Sequence, residues 1–361
     1  MTPTAIREVA FHSARSALSR PIADATHAIP GIRFVVARIV LENGIVGESH
    51  LLSFHYSPHA IAGACRDMEA FLRGRDAADT AGVIRDWETE SEYFGHAGIN
   101  RWALGLANLA MWDAIGRTRG EPVWRMLGGE ARPVPVYGSG GWLSYSDAEL
   151  VDEVRGYAKR GFAAVKVKVG SREKGRDLER LARVLDAVGP NVRVMMDANQ
   201  GLSVEAALAL AREARRFGIA WFEEPIDHAD FDGYAEVREG AGIPIAMGER
   251  EYDLVALREL ARRGAIDLWQ PDLLRLGSVE AWRASAALAQ AHAIPVLPHY
   301  YRDYDVPLLC TVPNGAGAES FDWIDAIVDR PLRVEGGFAY PRDEPGWGFA
   351  IRDDALSPLV R

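Results

Sequence analysis

The sequence predicts an α/β protein in which a (β/α) barrel follows an α+β N-terminal region. Three observations lead to this. From about residue 133, short apolar strand candidates alternate regularly with amphipathic helical patterns. The first part of the chain mixes strands and helices without that alternation, and the segment after residue 330 is rich in Gly and Pro. Strands that are each followed by a helix favour parallel pairing, and 361 residues suffice for one barrel with additions.

The N-terminal region contains a predicted hairpin followed by helices. The hairpin is RFVVARIVLENGIVGES, residues 33–49, in which Asn43-Gly44 is the strongest short signal for a tight turn between two strands. Helical patterns follow in HAIAGACRDMEAFLRG and in the apolar-rich NRWALGLANLAMWDAIGRTRG. Gly128-Gly129 ends this region. We therefore expect an α+β unit before the barrel begins.

Eight strand candidates follow the N-terminal region. They are VPVYG (134–138), AVKVKVG (164–170), VRVMMDAN (192–199), IAWFEEP (219–225), IPIAMGE (243–249), AIDLWQPD (265–272), IPVLPH (294–299) and a weaker AGAES (316–320). The helical patterns between them carry start and stop signals, such as the capping box Ser146-Asp147-Ala148-Glu149 and terminal glycines. This order of elements is typical of a (β/α) barrel.

Composition and charge exclude several classes of function. The net charge of −10 argues against a nucleic-acid-binding protein, which would carry basic clusters. Cys65 and Cys310 lie far apart without metal-ligand spacing, which is typical of a reducing compartment. The N-terminus lacks the apolar core of a signal peptide, and no apolar run is long enough for a membrane span. We expect a cytoplasmic protein that has neither nucleic acid nor a membrane as a partner.

Side chains suited to catalysis stand at the C-terminal ends of successive strand candidates, one strand–helix unit apart. They are Lys166 and Lys168, then Asp197, Glu223, Glu249, Asp272, His299 and Glu319. Taken singly, each has an ordinary explanation, since a carboxylate often caps a helix and a histidine often packs in a core. Barrel active sites form at this end of the strands, so the recurrence favours one shared site.

Two features of this set point to a metal-assisted proton transfer. Three carboxylates gathered without a cation would repel each other, and a hard divalent ion such as Mg²⁺ relieves that repulsion. In AVKVKVG, Lys166 and Lys168 share one strand face while Val165, Val167 and Val169 share the other. An edge strand with one wet face would explain the lysines alone. Together with the carboxylates, they are better explained as reagents that face the barrel interior.

The ordered motifs KVK, MDAN, FEEP, MGE, QPD and PHY resemble those of the enolase superfamily, mandelate racemase subgroup, over essentially the whole chain. The resemblance implies an α+β capping domain (1–128), a modified TIM barrel of the (β/α)7β type (129–330) and a C-terminal segment that returns to the cap (331–361). It implies one Mg²⁺ per subunit, bound by Asp197, Glu223 and Glu249. A homo-oligomer is also expected.

The same resemblance assigns the remaining strand-end residues. Lys168 is one acid/base, with Lys166 beside it near the substrate carboxylate. His299 is the other acid/base, paired with Asp272, and Glu319 donates a hydrogen bond to a substrate oxygen. A proton next to a carboxylate is weakly acidic because its loss adds charge to an anion, and Mg²⁺ offsets that charge. Lys168 needs a depressed pKa to act as a base, which Lys166 and the metal would both favour.

Candidates for substrate binding come from the barrel loops and from two cap segments. They are Asn199, Tyr137 and Arg250 in the barrel, and Arg20, His27, His55 and Tyr56 in the cap. Polar cap residues favour a polyol acid over an aryl hydroxy acid, because unpaired buried polar groups cost roughly 1–3 kcal/mol each. Arg20 or Arg250 could hold a second carboxylate bidentately, which would favour a hexarate over a hexonate.

The leading hypothesis is therefore a Mg²⁺-dependent lyase that dehydrates an acid sugar, a small carboxylate, to a 2-keto-3-deoxy acid. A racemase or epimerase would use the same Lys168 and His299 on opposite faces of the substrate. A third hypothesis is a non-catalytic sugar-acid binding protein, which the complete set of reagents argues against. A muconate cycloisomerase-like activity would require a lysine on the sixth strand, which here ends in Asp272.

Overall fold

The computed structural model describes residues 2–173 and 175–359, and it shows an α+β cap packed on a modified TIM barrel. The cap contains a four-stranded antiparallel sheet in the order β15-β1-β4-β5. The cap strands are β1 (Ile6–Ser16), β2 (Ile22–Ala23), β3 (Ala28–Ile29), β4 (Ile32–Leu41) and β5 (Val46–Leu52), with β15 (Ser357–Pro358) added from the C-terminal end of the described chain. β2 and β3 form a separate two-stranded ribbon.

The predicted hairpin is confirmed as the pair β4–β5. Its register runs from Phe34 opposite Leu52 to Val40 opposite Val46. The turn places Gly44 at φ 83°, a left-handed backbone conformation that glycine adopts without steric cost. The long strand β1, which pairs with β4 along nearly its whole length, was not among the sequence-predicted strands. Its burial alternates irregularly, so its periodicity is weak.

The cap helices are α1 (Pro58–Leu72), α2 (Thr80–Ser91), α3 (Ile99–Arg119) and α4 (Val123–Met126). The long α3 is buried over most of its length and packs against β5. Contact is closest at Gly47, where an added Cβ would lie 2.2 Å from the carbonyl oxygen of Ala110. A side chain at this position would therefore force the helix away from the sheet.

The barrel is a closed parallel sheet of short strands. They are β6 (Val134–Gly140), β7 (Ala164–Lys168), β8 (Arg193–Asp197), β9 (Phe222–Glu223), β10 (Ile245–Met247), β11 (Leu268–Trp269) and β12 (Ala318–Ser320). The predicted strand IPVLPH is reduced to a single residue, Val296, which bridges Trp269 on one side and Gly315 on the other. Pro295 and Pro298 flank it and cannot donate backbone hydrogen bonds, which limits the pairing.

Helices cover the outside of the barrel. They are α5 (Asp147–Lys159), α6 (Arg176–Val188), α7 (Val204–Ala214), α8 (Phe231–Ala241), α9 (Leu254–Arg263), α10 (Leu273–Leu276), α11 (Val279–Ala291) and α12 (Arg302–Leu309). The predicted capping box is present at the start of α5, where Ser146 and Glu149 bond each other's backbone amides. The short strands β13 (Val334–Glu335) and β14 (Phe338–Ala339) pair with each other, and β14 also pairs with β6. No helix among the described residues is both long and apolar enough to cross a membrane.

The barrel interior is layered, and the layers explain where the functional residues lie. Its lower layer is an apolar cluster formed by Tyr137, Ala164, Met195, Trp221, Ala246 and Leu297. Two residues further along the chain, on the same face of each strand, stand Lys166, Asp197, Glu223 and His299. Val165, Val167 and Val169 instead pack in the outer core with the helices. The two-residue strand period thus places the charged groups directly above this apolar layer.

The cap is held to the barrel by hydrogen bonds and stacking. The backbone amide of His50 on β5 donates to the Tyr304 hydroxyl (2.9 Å), and that of Leu52 donates to the Tyr301 hydroxyl (3.1 Å). The His50 ring also stacks on Tyr304, with ring centroids 4.8 Å apart. These contacts fix β5, and the loop after it, over the mouth of the barrel.

Candidate active site

A cavity of about 170 Å³ lies between the cap and the C-terminal ends of the barrel strands. This volume suits a small metabolite, since pockets for drug-sized ligands begin at roughly 300 Å³. From the barrel it is lined by Trp142, Lys166, Lys168, Asn199, Glu249, Arg250, Asp272, Arg275, His299, Tyr300, Tyr301, Glu319, Phe321 and Trp323. From the cap it is lined by Asp24, His27, Ile29, Leu51, Leu52, Ser53, Phe54, Tyr56 and Trp102.

The two lysines of β7 are buried at the base of this cavity. Lys166 is 1% exposed and Lys168 is 5% exposed, so β7 is not an edge strand with a wet face. The ammonium of Lys168 lies 2.5 Å from Asp197 Oδ2. Lys166 bonds to Glu223 and lies 2.8 Å from Glu319 Oε1. Both lysines are therefore held among the carboxylates of β8, β9 and β12.

The pKa of Lys168 departs from the expectation. Burial lowers it and Lys166 adds to that effect, but the carboxylate of Asp197, with Asp24 and Glu223, outweighs both. The pKa of Lys168 is consequently raised rather than depressed. Burial also lowers the pKa of Lys166. The carboxylates of Glu223 and Glu319 outweigh it, so the pKa of Lys166 is raised well above the usual value. As the residues stand, each lysine is an ammonium ion that neutralises the carboxylates around it.

Asp197 and Glu223 occupy paired positions on the adjacent strands β8 and β9, and both are buried. Glu223 is oriented by two neighbours, because the Gln270 side-chain amide (2.6 Å) and the Trp221 indole (3.1 Å) both donate to its Oε2. Burial raises the pKa of Glu223 to about 7, opposed by Lys166 and reinforced by the charges of Asp197, Glu319 and Glu249. Glu223 thus experiences the electrostatic repulsion predicted for clustered carboxylates.

The third predicted metal ligand, Glu249, follows β10 and is also buried. Although burial opposes it, His299, Arg250 and Arg275 hold the pKa of Glu249 well below its usual range. Glu224, which directly follows β9, is buried and pairs with Arg250 at 3.2 Å. Arg250 also lies 3.4 Å from Glu249. Glu249 is therefore surrounded by cationic side chains.

The predicted metal triad is not assembled around a single point. Among residues 2–173 and 175–359, no group of three or more His, Cys, Asp or Glu side chains could hold a metal ion as it stands. The lysines explain this, since Lys168 engages Asp197 and Lys166 engages Glu223. The donor chemistry nevertheless fits a hard divalent cation: three buried carboxylates stand at adjacent strand ends, and the pKa of Glu223 records their mutual repulsion.

His299 and Asp272 form a side-chain pair across two strand ends. His299 Nδ1 lies 2.8 Å from Asp272 Oδ2, and His299 Nε2 faces Glu249 at 3.5 Å. Burial lowers the pKa of His299, but Glu249, the hydrogen bond to Asp272 and Glu319 raise it to about 9. The ring is thus an imidazolium whose Nδ1–H donates to Asp272, which leaves Nε2–H directed toward the cavity.

Glu319 differs from its expected role as a hydrogen-bond donor. Burial would raise its pKa, but Lys166, His299 and Lys168 lower it to about 2. The carboxylate accepts a hydrogen bond from the backbone amide of Tyr300 (2.9 Å) and pairs with Lys166. In this arrangement the Glu319 carboxylate accepts these hydrogen bonds and positions Lys166.

The predicted substrate-binding residues divide into two groups. Asn199, His27, Tyr56 and Arg250 line the cavity. Arg20, His55 and Tyr137 do not: Arg20 pairs with Glu149 outside it, and His55 is exposed, with its ring tilted against that of Tyr56. Tyr137 lies below the site, where its ring is 5.6 Å from Lys166 Nζ. Loop residues were thus placed less reliably by the sequence than strand-end residues.

Sequence reasoning missed an aromatic part of the cavity. Phe321 and Trp323 line it together with Tyr300 and Trp142, and of these four residues only Tyr300, in the PHY motif, belongs to a motif named from the sequence. A signal was present, because Phe321 and Trp323 directly follow β12 and must therefore stand at the barrel mouth. Arg250 pairs through its Nε with Glu224 and Glu249, so its guanidinium is held beside the barrel carboxylates.

Comparison with known proteins gives consistent matches over nearly the whole chain. Residues 6–128 match the family model described as mandelate racemase/muconate lactonizing enzyme, N-terminal domain, and residues 149–355 match that described as enolase C-terminal domain-like. The arabinonate dehydratase of Saccharolobus solfataricus is 32% identical over 272 residues, 72% of each chain. The 3,6-anhydro-alpha-L-galactonate cycloisomerase of Streptomyces coelicolor is 28% identical over 96% of this chain and 97% of that protein.

Solved structures agree with this result. The crystal structure of a racemase from Streptomyces coelicolor A3(2) with bound magnesium superposes with a TM-score of 0.93 at 27% identity. The match covers 98% of this chain and 100% of that one. The fold and its cap are therefore shared with proteins named as dehydratase, cycloisomerase and racemase.

Proposed function

The chain belongs to the mandelate racemase/muconate lactonizing enzyme family of the enolase superfamily, and on this basis we propose that it removes the proton next to a carboxylate and dehydrates an acid sugar. The product would be a 2-keto-3-deoxy acid. One observation carries the proposal: Lys168 and His299 line the same cavity from opposite parts of the barrel. β6 and β12 separate their strands on one side, and β8 to β11 separate them on the other.

Asp197, Glu223 and Glu249 are the residues that would hold Mg²⁺. When bound, the ion would neutralise these carboxylates and stabilise the negative charge that develops on the substrate carboxylate. Gln270 and Trp221 would keep Glu223 in place through their hydrogen bonds to its Oε2. Glu319 would hold the ammonium of Lys166 near the substrate carboxylate.

Lys168 is the proposed base. Its high pKa comes first from Asp197, so any cation that engages Asp197 leaves burial and Lys166 as the dominant influences. Both of these lower the pKa of Lys168 and favour the neutral amine that can accept a proton. The apolar layer beneath the site adds to this effect by keeping water away from the amine. Lys168 Nζ would then take the proton from the carbon next to the substrate carboxylate.

His299 is the proposed acid. Its imidazolium, stabilised by the hydrogen bond to Asp272, would donate the Nε2 proton to the departing 3-hydroxyl group, which leaves as water. The carbon–hydrogen bond breaks toward Lys168 and the carbon–oxygen bond breaks toward His299. The resulting enol rearranges to the 2-keto-3-deoxy acid. The two side chains thus share one elimination between them.

A racemase or epimerase is the second candidate function. It is favoured by the same opposed placement of Lys168 and His299, since one could remove a proton and the other return it on the opposite face. The racemase among the solved structures supports it as well. A non-catalytic sugar-acid binder would have no use for the buried lysines or the Asp272–His299 pair.

A substrate screen tests the proposal. Purified protein with Mg²⁺ should be incubated with monoacid and diacid sugars of four to six carbons, with detection of 2-keto acid, and with aryl 2-hydroxy acids, with detection of racemisation. We expect keto product from at least one acid sugar, and none from the Lys168→Met variant. Efficient racemisation of an aryl acid with no keto product would favour the second function.

A further inference from the structure

A buried arginine outside the cavity holds the loop that follows β6. Arg180, on α6, is 2% exposed, and its Nη2 donates to the backbone carbonyls of Gly141 (2.6 Å) and Trp142 (3.1 Å). Burial, followed by Arg176, lowers the pKa of Arg180, and the carboxylate of Asp177 offsets this only in part. A guanidinium is costly to bury without a closely paired carboxylate. The two carbonyls are therefore the contacts that this side chain serves.

Gly141 is the corner of the loop, and both of its backbone polar groups are bonded. Its amide donates to Glu153 Oε2 on α5 (2.5 Å), and its carbonyl accepts from Arg180 and from the backbone amide of Lys168 (3.2 Å). Its φ is 59°, and an added Cβ would lie 2.5 Å from the Cβ of Val167, so a side chain does not fit here. We call the side chains of Glu153 and Arg180 the loop clamp.

The clamped loop carries two contacts toward the site. Trp142, directly after Gly141, is 5% exposed and lines the cavity, and its ring centre lies 5.2 Å from Lys168 Nζ. An indole face attracts an ammonium group at this distance. The backbone amide of Leu143 donates to the carbonyl of Ala23 on the cap strand β2 (2.8 Å). The loop therefore brings an aromatic face to the proposed base and joins the cap to the barrel.

The Trp142 ring becomes more important to Lys168 once the carboxylates are engaged by a cation. The ammonium of Lys168 is otherwise oriented by Asp197, at 2.5 Å. Asp197 is one of the residues that would hold Mg²⁺, so it would no longer be available to orient Lys168. A lysine side chain has four rotatable bonds, and proton transfer requires the reacting atoms to be close and aligned. Trp142 carries no charge and is fixed from outside the cavity, so its ring stays beside the amine.

We propose that Arg180 and Glu153 are positioning residues, which fix Gly141 and so hold the Trp142 ring against Lys168, directing the amine at the substrate carbon. The contact itself depends on no assumption about the reaction. Its effect on proton removal rests on the proposed function, because that function makes Lys168 the base. Two measurements therefore test the contact and its effect separately.

The first measurement is fluorine NMR without substrate or metal. The ten tryptophans of the chain are replaced by 5-fluorotryptophan, and the resonance that Trp142→Phe removes is assigned to Trp142. We expect Arg180→Met to shift this resonance. Arg183→Met, a control on an exposed position of the same helix that pairs with Asp147, should leave it unchanged. Lys168→Met should shift the Trp142 resonance in the native background and not in the Arg180→Met background.

The second measurement is exchange of the α-proton with solvent deuterium, with Mg²⁺ and the best acid of the screen. Arg180→Met should lower kcat for exchange about ten- to hundredfold, the effect of a misplaced reacting group. KM should stay within about threefold, because Arg180 does not line the cavity. Arg180→Lys keeps a charged donor for one carbonyl and should recover part of the loss, and Arg183→Met should behave as the native protein. A loss of stability alone would reduce the folded fraction without shifting the Trp142 resonance of the folded molecules.

The assignment fails if Arg180→Met leaves the Trp142 resonance in place, or if Lys168→Met shifts that resonance equally in both backgrounds. It also fails if the resonance shifts while exchange keeps its native rate. Should Arg180→Met not fold, Glu153→Ala, at a half-buried position, removes the acceptor of the Gly141 amide and serves for the same comparison. A native protein that exchanges the α-proton of no acid would contradict the proposed function, and the resonances alone would then decide the role of the clamp.

Discussion

The strand-end residues at the base of the cavity, called the floor below, and the cap-loop residues around its mouth, called the rim, were predicted with very different success. On the floor, Lys166, Lys168 and Glu319 are brought together as the strand register implies. On the rim, Arg20 and His55 lie outside the cavity. The floor residues sit on strands whose two-residue period and parallel pairing determine where each side chain points. The rim residues sit on loops, whose course depends on contacts that a sequence pattern does not encode.

This comparison predicts that the chemistry is concentrated on the floor. Glu223→Gln should show the largest effect, because it removes a ligand charge while preserving the bonds to Gln270 and Trp221 that fix the side chain. We expect kcat/KM to fall at least about a thousandfold, or about 4 kcal/mol of transition-state stabilisation. Steady-state kinetics and Mg²⁺ titration measure it. Glu205→Gln, an exposed helix position, is the matched control and should behave as the native protein. Full activity of Glu223→Gln would remove Glu223 from the metal site.

His299→Asn should separate the two halves of the reaction. Loss of the proposed acid should slow dehydration by about 10²–10⁴-fold, the usual contribution of a general acid. Exchange of the α-proton with solvent deuterium should persist, because Lys168 remains in place. Proton NMR in D₂O reads both quantities from one sample. If the variant dehydrates at the native rate, His299 has only a structural role.

The contact between cap and barrel carries its own prediction, because His50 is neutral where it stacks on Tyr304. Burial, followed by Arg342, lowers the pKa of His50 to about 4 against the usual 6.5, with Asp303 opposing. As pH falls from about 6.5 to about 4, the unfolded chain takes up a proton that the native state resists. Stability present above pH 6.5 is therefore lost over that interval, by about 3 kcal/mol from this residue.

Denaturant unfolding at pH 7.5 and at pH 5 measures this effect. His50→Asn removes the titrating group, so the difference between the two pH values should shrink, whatever its effect on absolute stability. His59→Asn, at an exposed position of α1, is the control and should keep the native pH dependence. An unchanged pH dependence in His50→Asn would show that His50 is protonated without cost in the native state.

The sequence indicated the fold and the identity of the floor residues because both follow from periodicity and position. The pairing of Asp272 with His299 was expected from the family resemblance that their motifs carry, and the structure places the two side chains 2.8 Å apart. The protonation states could not be predicted, since the charge on Glu319 and the raised pKa of Lys168 depend on distances among four buried charges. Nor could β1, whose irregular burial gives little alternation to recognise.

The rim residues should contribute least to catalysis. Tyr56 lines the cavity but is 39% exposed, and the ring of the exposed His55 lies against it. We expect Tyr56→Phe and His55→Ala to change kcat/KM by less than about threefold, the range of surface substitutions without special partners. Kinetics on the best substrate of the screen would measure both. A hundredfold loss in either variant would show that the cap loop supplies a reacting group and would remove the distinction between floor and rim.

The proposed reaction begins when Lys168, on the floor of the cavity, removes the proton next to the substrate carboxylate. The most direct measurement compares product formation from an acid sugar deuterated at that carbon with formation from the unlabelled acid, in the native protein and in Lys168→Met. We expect the product to lose the label, the loss to require Mg²⁺, and Lys168→Met neither to turn over the substrate nor to exchange the label. Product that keeps the deuterium, or a Lys168→Met variant that forms product at the native rate, would contradict it.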